Sequence, residues 1–509
     1  MFSPADLVQL HARGISVGEA ETQIAQLRQP PPPVRLDRPC TAGDGIIRLE
    51  STRVDALAAR GRAEAARGRV TKFVPASGAA TRMFKDLIAA LHAAGARPST
   101  TAAAREFFEH LDRFPFAREL RAISGVGGAP ASEEDERRLL LALLEGLHYN
   151  RLPKGLVAFH RTDRARSAFE EHLLEATRYA KAADGTCRVH FTVAPEFRGA
   201  FVRLLDGLRA DIEERRGVRL DVTFSEQRRA TDTLALDSGG EPFRDTDGSL
   251  LFRPSGHGAL LSNLQQLAAD LVVIKNIDNV LPDESSDEVV RWKQVLLGML
   301  ADLQSEVFAR LAACADPRTS ASIIDEAAAF AATRLSRAPA TPKGDLDSRR
   351  AFVRAALDRP LRVCGVVRNE GEPGGAPFWV TGRDGARSLQ IVEAFQVAAG
   401  DDAQARIFRA ATHFNPVDIV CGVRSRAGTP FDLAAFVDPA TSFVSRKSFT
   451  GRDLLALERP GLWNGAMAGW NTVFVEVPTA TFAPVKTVFD LLRPEHQPRS
   501  PGVSGTLSR

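Results

Sequence analysis

The stretch Lys72-Phe-Val-Pro-Ala-Ser-Gly-Ala-Ala-Thr-Arg-Met-Phe-Lys85 decides the fold class. Thr71–Val74 reads as a strand, Pro75–Arg82 as a turn built almost wholly of small residues, and a helix begins near Met83. Strand, small-residue turn and helix, in that order, open a nucleotide-binding α/β unit. Small side chains let backbone N–H groups come close to an anion, and the helix that follows turns its positive end toward it. Ala76, Ser77, Gly78, Ala79 and Ala80 supply that backbone; Thr81 and Arg82 add a hydroxyl and a two-pronged guanidinium. The same composition also suits a tight turn without a ligand, where small residues serve only close packing.

Outward from this stretch the pattern alternates. Asp86–Tyr149 is helical, with a Gly-rich break at Gly125–Pro130. Apolar, β-rich runs follow at Arg188–Ala194, Arg219–Phe224, Leu271–Ile274, Arg362–Val367, Val417–Val423 and Val473–Val477, with helical patterns between most of them. This predicts a sheet covered on both faces. Ser286–Asp358 is a second helical region, with a Pro/Ala-rich loop at Ala338–Lys343. Toward the N-terminus, Ser3-Pro4 and a capping box at Ser16 and Glu19 start two short helices, Pro30–Pro33 is a stiff linker, and Asp55–Arg67 is helical. The expected organisation is an N-terminal helical segment and linker (1–66) and an α/β domain (67–425) with helical insertions at about 86–149 and 286–358. A C-terminal part (426–493) completes the site, and a disordered tail follows (494–509).

Composition excludes several classes. Hydrophobic residues make up 44% and charged residues 25%, and 66 basic residues against 63 acidic ones leave a formal charge of +3. So small an excess gives no argument for a nucleic acid or a membrane surface as partner. The Ala- and Arg-rich composition reads as that of a GC-rich bacterial genome. The five cysteines, Cys40, Cys187, Cys314, Cys364 and Cys421, form no CxxC pair, which disfavours a disulfide framework or a structural zinc and points to a reducing cytoplasm. Met1–Gln9 has no charged-then-apolar signal pattern, and no run approaches the ~20 apolar residues of a bilayer span. A soluble, cytoplasmic protein is expected.

Two further stretches carry chemistry. Phe252-Arg-Pro-Ser-Gly-His-Gly258 places a histidine between two glycines ahead of a helix at Ala259–Leu264, a turn against which a base or ribose can lie. Leu271-Val-Val-Ile-Lys-Asn-Ile-Asp-Asn279 is an apolar strand ending in Asp278-Asn279. Open α/β sheets put ligands at such strand ends, and oxygen ligands suit Mg²⁺; Asp/Asn capping of the next turn is the plainer reading. Asp245-Thr-Asp-Gly248 has the DxD form of metal-dependent glycosyltransferases, but Asp-Gly between apolar segments reads as a hairpin turn. The polar loop Arg368–Gly375 is either a substrate lid or a surface loop, and Trp379, Trp463 and Trp470 read mainly as core. No nucleophile-elbow pattern occurs, although ten histidines leave Ser/His/Asp and Cys/His triads open.

Several long strings together carry a resemblance. KFVPASGAATRMFK, LPKGLVAFH, RPSGHGALLSNL, KNIDNVLPDE, VVRNEGEPGGAPFWV and THFNPVDIV identify the chain as a member of an uncharacterised bacterial family of unknown function, over nearly its whole length. More distantly it resembles the UDP-sugar pyrophosphorylases, with similar pieces in the same order. Pro75–Met83 is similar to their nucleotide loop ending in Thr-Arg, and Pro153-Lys154-Gly155 to their Pro-Lys-Gly motif, whose lysine contacts phosphate. Phe224–Gln227 is similar to a strand end with a glutamine near the uracil, Gly256–Leu264 to their turn against the nucleotide, and Asp278-Asn279 to their metal-binding pair. Ile391–Val397 resembles a strand carrying Val-Glu next to the sugar, Phe414-Asn415 a sugar-facing asparagine segment, and Val485–Leu491 the late lysine segment reaching the phosphates. The chain departs from that pattern in two places. Its loop has one glycine, Gly78, where those enzymes have several, and Pro-Lys-Gly follows about seventy residues after the loop, which makes Lys85 a rival to Lys154.

The resemblance implies a three-layer nucleotidyltransferase (GT-A-like) α/β sandwich with a mixed, mostly parallel sheet and helical insertions. It implies a sugar-1-phosphate nucleotidyltransferase using Mg²⁺ and a nucleoside triphosphate, with nucleotide sugar and sugar phosphate as partners and neither nucleic acid nor membrane. Arg82, Lys154 and Lys486 would neutralise phosphates and Asp278 would hold Mg²⁺. Gln227, Gly256 and His257 would contact the nucleoside, and Glu393 and Asn415 the sugar. The alternatives are an inactive sugar-nucleotide-binding or regulatory protein on the same fold, motivated by the single-glycine loop, and a metal-dependent glycosyltransferase using Asp245 and Asp247.

Overall fold

A strand at Val70–Pro75 runs into a short 3₁₀ turn at Ala80–Arg82 and then the Lys85–His92 helix, the order read from the sequence. The computed structural model describes residues 2–93, 97–336, 344–371 and 374–498, except the side chains of Asn415 and Pro416. The Ala338–Lys343 loop and most of the expected tail therefore lie outside the described residues, as do two residues of the Arg368–Gly375 loop. The chain forms two compact units that interleave in sequence. Unit 1 comprises Met1–Phe73, Ser225–Ile274 and Trp292–Thr479; unit 2 comprises Val74–Phe224, Lys275–Arg291 and Ala480–Arg509.

Unit 1 is built on strands in the order Thr41–Ala42, Gly45–Ile47, Asn471–Glu476, Leu361–Arg368, His413–Gly422, Leu271–Ile274 and Val70–Pro75, the last contributing its first four residues. Neighbours run parallel except at His413–Gly422, which is antiparallel to both of its partners. The fold is thus mixed α/β with a mostly parallel sheet, as expected. Alternation along the strands sorts side chains to two faces. Phe73, Val272, Ile274, Cys364, Val366, Ile419, Cys421 and Phe474 enter one buried cluster together with Leu260 and Leu264 of the following turn and helix. Gly365 and Gly422 meet instead Leu296 and Gln304 of the long Asp287–Ala315 helix. That helix crosses the Ser51–Ala66 helix at Gly61 and Gly298, where a Cβ on either would sit 1.9 Å from a carbonyl oxygen of the other helix.

Two smaller antiparallel sheets complete unit 1. One joins Leu36–Pro39, Ala376–Thr381 and Arg387–Val392; the other joins Phe252–Arg253, Thr233–Leu236, Arg452–Glu458 and Phe443–Phe449. Strands such as Arg387–Val392 and Phe443–Phe449 mix polar and apolar residues, so they lack the continuous apolar run that marks a strand buried on both faces. At the N-terminus the reciprocal capping box forms at Ser3 and Asp6, whereas Ser16 only accepts the Glu19 amide.

Unit 2 contains the expected helical stretch as Lys85–His92, Ala102–Glu109, Ala117–Ser124 and Glu133–Leu141. It has its own aromatic core, in which Phe107, Phe114, Phe116 and Tyr149 follow one another with ring centroids 5.0–5.4 Å apart. The strand Thr186–Val193 lies beside Arg219–Glu226. The expected tail begins differently from its reading: Pro494–His496 form a 3₁₀ turn, because His496 is buried and stacks on His160. No helix among the described residues is long and apolar enough to cross a membrane.

Candidate functional site

The small-residue loop of unit 2 is fixed at both ends. The Ala76 amide donates to the Thr192 carbonyl (2.9 Å), and the Ala80 amide to the Leu152 carbonyl (2.9 Å). The Lys154 amide donates back to the Gly78 carbonyl (3.0 Å), so Ala79 and Pro153 form an antiparallel bridge. Pro-Lys-Gly is thereby laced to the loop despite the helical segment between them in sequence. The amides of Ser77, Gly78 and Ala79 donate to no protein group among the described residues, and Gly78 and Ala79 are exposed. Gly78 does not adopt a left-handed backbone, and a Cβ built on it meets nothing within 4 Å. Alanine at positions 79 and 80 therefore costs no strain, and the single glycine leaves open space over three unengaged donors.

Lys154 and Lys486 converge on one carboxylate. Each Nζ donates to Asp278 Oδ2 at 2.9 Å, and Lys154 Nζ also donates to the Val485 carbonyl at 2.7 Å. The side chains of Lys154 and Asp278 are 12% and 13% exposed, whereas that of Lys486 is 62% exposed. Burial pushes the Asp278 carboxyl up, but the charges of Lys486 and Lys154 and their hydrogen bonds outweigh it and leave it below the usual range. Burial lowers the Lys154 ammonium, with Asp278 opposing and the positive charges of Lys486 and Arg82 assisting. Arg82 is exposed and acts on this cluster through space. Lys85, the rival lysine, is exposed in the first turn of its helix, while Lys154 is in the cluster.

Three residues hold this arrangement without having been singled out for that role. Asn279 Oδ1 accepts the Ala483 amide (3.0 Å), and the Val485 amide donates to the Asp278 carbonyl (2.8 Å), which pins the Lys486 segment to the Asp278-Asn279 pair. Asp490 Oδ2 accepts the amides of Lys486 (2.8 Å) and Thr487 (2.7 Å), in a capping box with Thr487. The Thr-x-x-Asp spacing at 487–490 is a sequence signal that could have found it. Thr81, expected to offer its hydroxyl to phosphate, donates it instead to the Asn150 carbonyl (3.0 Å).

The remaining expected contacts belong to unit 1. His257 Nδ1 accepts the Leu462 amide (3.0 Å), so its proton resides on Nε2, which faces Glu393 Oε1 at 3.7 Å. Its ring stacks on Trp463 with centroids 4.2 Å apart, and burial pushes its pKa down to about 4, leaving a neutral imidazole. Gly258 is required there, because a Cβ would lie 2.4 Å from the Pro460 carbonyl oxygen. Gly256 has φ +69°. Burial raises the Glu393 carboxyl, partly countered by the Trp463 indole. Gln227 is half-buried, and its Nε2 has no hydrogen-bond partner among the described residues. Asn415 has its side chain outside the described residues. Asp245 and Asp247 stand on a hairpin turn, with the Gly248 amide on the Asp245 carbonyl (3.0 Å) and the Ser249 amide on Asp247.

Among the described residues no group of three or more His, Cys, Asp or Glu is placed to hold a metal ion. Asp278 therefore belongs to no such group. That fits Mg²⁺ only in the mode where one or two carboxylates share the ion with substrate phosphates and water.

The chain belongs to the family described as Domain of unknown function (DUF4301), whose model matches residues 3–497. No curated protein matches it. Among solved structures it is similar to the uridine diphosphate N-acetylglucosamine pyrophosphorylase of Trypanosoma brucei in complex with inhibitor, at 14% identity over 96% of this chain and 79% of that one, with a TM-score of 0.49. It is similar also to a UDP-glucose pyrophosphorylase mutant of Leishmania major in complex with UDP-glucose (12% identity, 97% and 79% covered, TM-score 0.45). The inositol-1-phosphate CTP transferase of T. maritima is more distant (10%, 84% and 92%, 0.31). The fold assignment rests on the strand order and direction described above.

Proposed function

We propose that the protein is a nucleotidyltransferase that transfers a nucleoside monophosphate from a nucleoside triphosphate to a sugar 1-phosphate. The observation that carries this reading is the convergence of Lys154 and Lys486 on Asp278 within one unit, beside a loop that leaves three amides unengaged. In the reaction a phosphate oxygen of the sugar 1-phosphate attacks the α-phosphorus and pyrophosphate leaves. The attacking oxygen is already anionic, so no strong general base is needed, and catalysis rests on positioning and charge neutralisation.

Arg82, Lys154 and the Ser77–Ala79 amides bind the triphosphate in this reading, and Lys486 binds the sugar phosphate. Without substrate, each lysine keeps its counter-charge on Asp278. Arriving phosphates compete for the two ammonium groups and release the carboxylate, which would then hold Mg²⁺ together with phosphate oxygens. When bound, the ion would supply further neutralisation of phosphate charge. Gln227, Gly256 and His257 have the nucleoside role, as a separate group in unit 1, with Glu393 and Asn415 in the sugar role. A neutral His257 with its proton on Nε2 suits a donor to ribose or base oxygen.

The test is pyrophosphate release from nucleoside triphosphates crossed with sugar 1-phosphates, in the parent and in Lys154→Ala and Asp278→Ala. Unchanged turnover in either variant removes that residue from the proposal. A second reading, nucleotide binding without turnover, is favoured by the engagement of Asp278 by two lysines. It predicts thermal stabilisation by nucleotide with no pyrophosphate released. The glycosyltransferase alternative loses its support, because Asp245 and Asp247 cap a hairpin turn.

A further inference from the structure

Unit 1 contains a cavity of about 690 Å³, with walls that include Arg35, Arg359, Arg383, Asp438, Gln396 and Asn464. This volume falls within the range of small-molecule sites, roughly 300–1,000 Å³. Its charge is lopsided, with three arginines against one aspartate. About half of the chain's arginines pair with a carboxylate, and none of these three forms an ion pair among the described residues.

Arg359 is the most constrained of the three. It is half-buried, and its guanidinium is held by carbonyls alone: Nε donates to Ala355 O (2.6 Å) and Nη1 to Gly469 O (3.1 Å). Its Nη2 donates to no protein group among the described residues. Burial without an offsetting anion lowers its pKa. A guanidinium pinned through Nε and Nη1 with Nη2 open has a fixed donor ready for an oxyanion, and the exposed Arg35 and Arg383 add positive field.

We propose that this cavity is a second ligand site, for a small metabolite carrying a phosphate or carboxylate head, with Arg359 as its anchor. The site has a route to the group around His257. Asn464 and Gln396 form part of the cavity wall, and Asn464 Nδ2 is shared between Gln396 Oε1 (3.3 Å) and Glu393 Oε1 (3.5 Å). Both contacts are long, so a ligand oxygen drawing on Asn464 competes directly with Glu393 and loosens it from its position beside His257. Occupancy of the cavity thus modulates the Glu393 group; this part rests on the substrate-facing role given to Glu393 above, whereas the binding itself does not.

The experiment is isothermal titration of the full chain carrying Lys154→Ala, so that the unit 2 phosphate cluster is crippled. Inorganic phosphate, glycerol 3-phosphate and citrate are titrated separately. At least one binds with 1:1 stoichiometry, more weakly as salt rises, and roughly 10-fold more weakly after Arg359→Met, the loss expected for one charge-assisted pair. The first two probes against citrate distinguish a phosphate head from a carboxylate head. No heat from any probe up to about 10 mM, the weak limit of specific metabolite binding, overturns the proposal. So does equal affinity after Arg359→Met with an unchanged circular dichroism spectrum. Should that variant fail to fold, Arg35→Ala and Arg383→Ala decide: unchanged affinity in both overturns the proposal, and weakening in either supports it. Failed binding with pyrophosphate release intact in the parent chain sinks only this inference; absent release with binding intact sinks only the transferase reading.

Discussion

Asp278→Asn removes the one negative charge between two lysines, and its cost can be worked out from the burial of each partner. Lys154 is 12% exposed and retains only the Val485 carbonyl, whereas Lys486 is 62% exposed and regains water. Removing one partner of a buried ion pair costs about 3–5 kcal/mol, while an exposed pair is worth about 0–1 kcal/mol. The Lys154 pair dominates, and its residual exposure favours the low end, about 3 kcal/mol. For a unit of this size that is a fall of about 6–12 °C in its thermal transition. The loss depends on pH, with a sign set by the two shifts. The Asp278 carboxyl is lowered on folding, so its stabilisation is present above about pH 4 and is lost as pH falls through the folded value. Lys154 is also lowered, so the penalty for its folded ammonium disappears as pH rises through the folded value toward about 10.4. In the variant the Lys154 ammonium discharges at still lower pH. The deficit of Asp278→Asn is therefore largest near neutrality and shrinks toward about pH 10 and in strong acid. Urea denaturation from acid to alkaline pH measures it, and the double variant with Lys154→Met recovers most of the loss. A deficit under about 1 kcal/mol that is flat with pH would refute the reasoning, because Lys154 would then be hydrated and not dependent on Asp278.

Two glycines behave oppositely. Gly258→Ala drives a Cβ to 2.4 Å from the Pro460 carbonyl oxygen and costs about 2 kcal/mol or more by urea denaturation. Gly78→Ala meets no atom, leaves stability unchanged or raised by up to about 1 kcal/mol, and still weakens nucleotide binding by thermal shift. Nitrogen NMR of His257 shows a midpoint near 4 with Nε2 protonated at neutral pH; its stabilisation is full above about 6.5 and falls through pH 4, and a midpoint near 6.5 contradicts the half-buried, neutral ring. Asp490→Ala removes the acceptor of the Lys486 and Thr487 amides and costs about 1–2 kcal/mol locally. In steady-state assays it raises KM for the phosphate substrate, while restoration by Asp490→Glu separates positioning from simple loss of fold.

The central strands were legible because burial on both faces leaves continuous apolar runs; Leu271–Ile274 begins and ends where the pattern says. The phosphate loop was legible as a string of small residues, but not its chemistry. Thr81 has a hydroxyl that suits phosphate equally well by type, yet the fold spends it on Asn150. Gly78 has no left-handed backbone, and what its identity leaves is the empty space around it. The partnership of Lys154 with the loop spans about seventy residues of intervening chain and depends on backbone hydrogen bonds that no side-chain pattern records. Asp278 was singled out as a strand-end carboxylate; that two lysines meet on the same oxygen is a product of the Val485 and Asn279 clasps. A half-exposed strand such as Phe443–Phe449 escaped notice because it alternates too weakly among Ser, Arg and Lys.

The most direct test is a pyrophosphate-release assay with Mg²⁺, crossing UTP, CTP, GTP, ATP and dTTP with a panel of sugar 1-phosphates, beside a thermal-shift measurement on each nucleotide. The account predicts release that depends on one nucleotide–sugar pair and is abolished by Lys154→Ala and by Asp278→Ala with the fold intact. No release from any pair, and no thermal shift with any nucleotide, would contradict it at its root, the assignment of Ser77–Arg82 and the Lys154–Asp278–Lys486 cluster to phosphate binding.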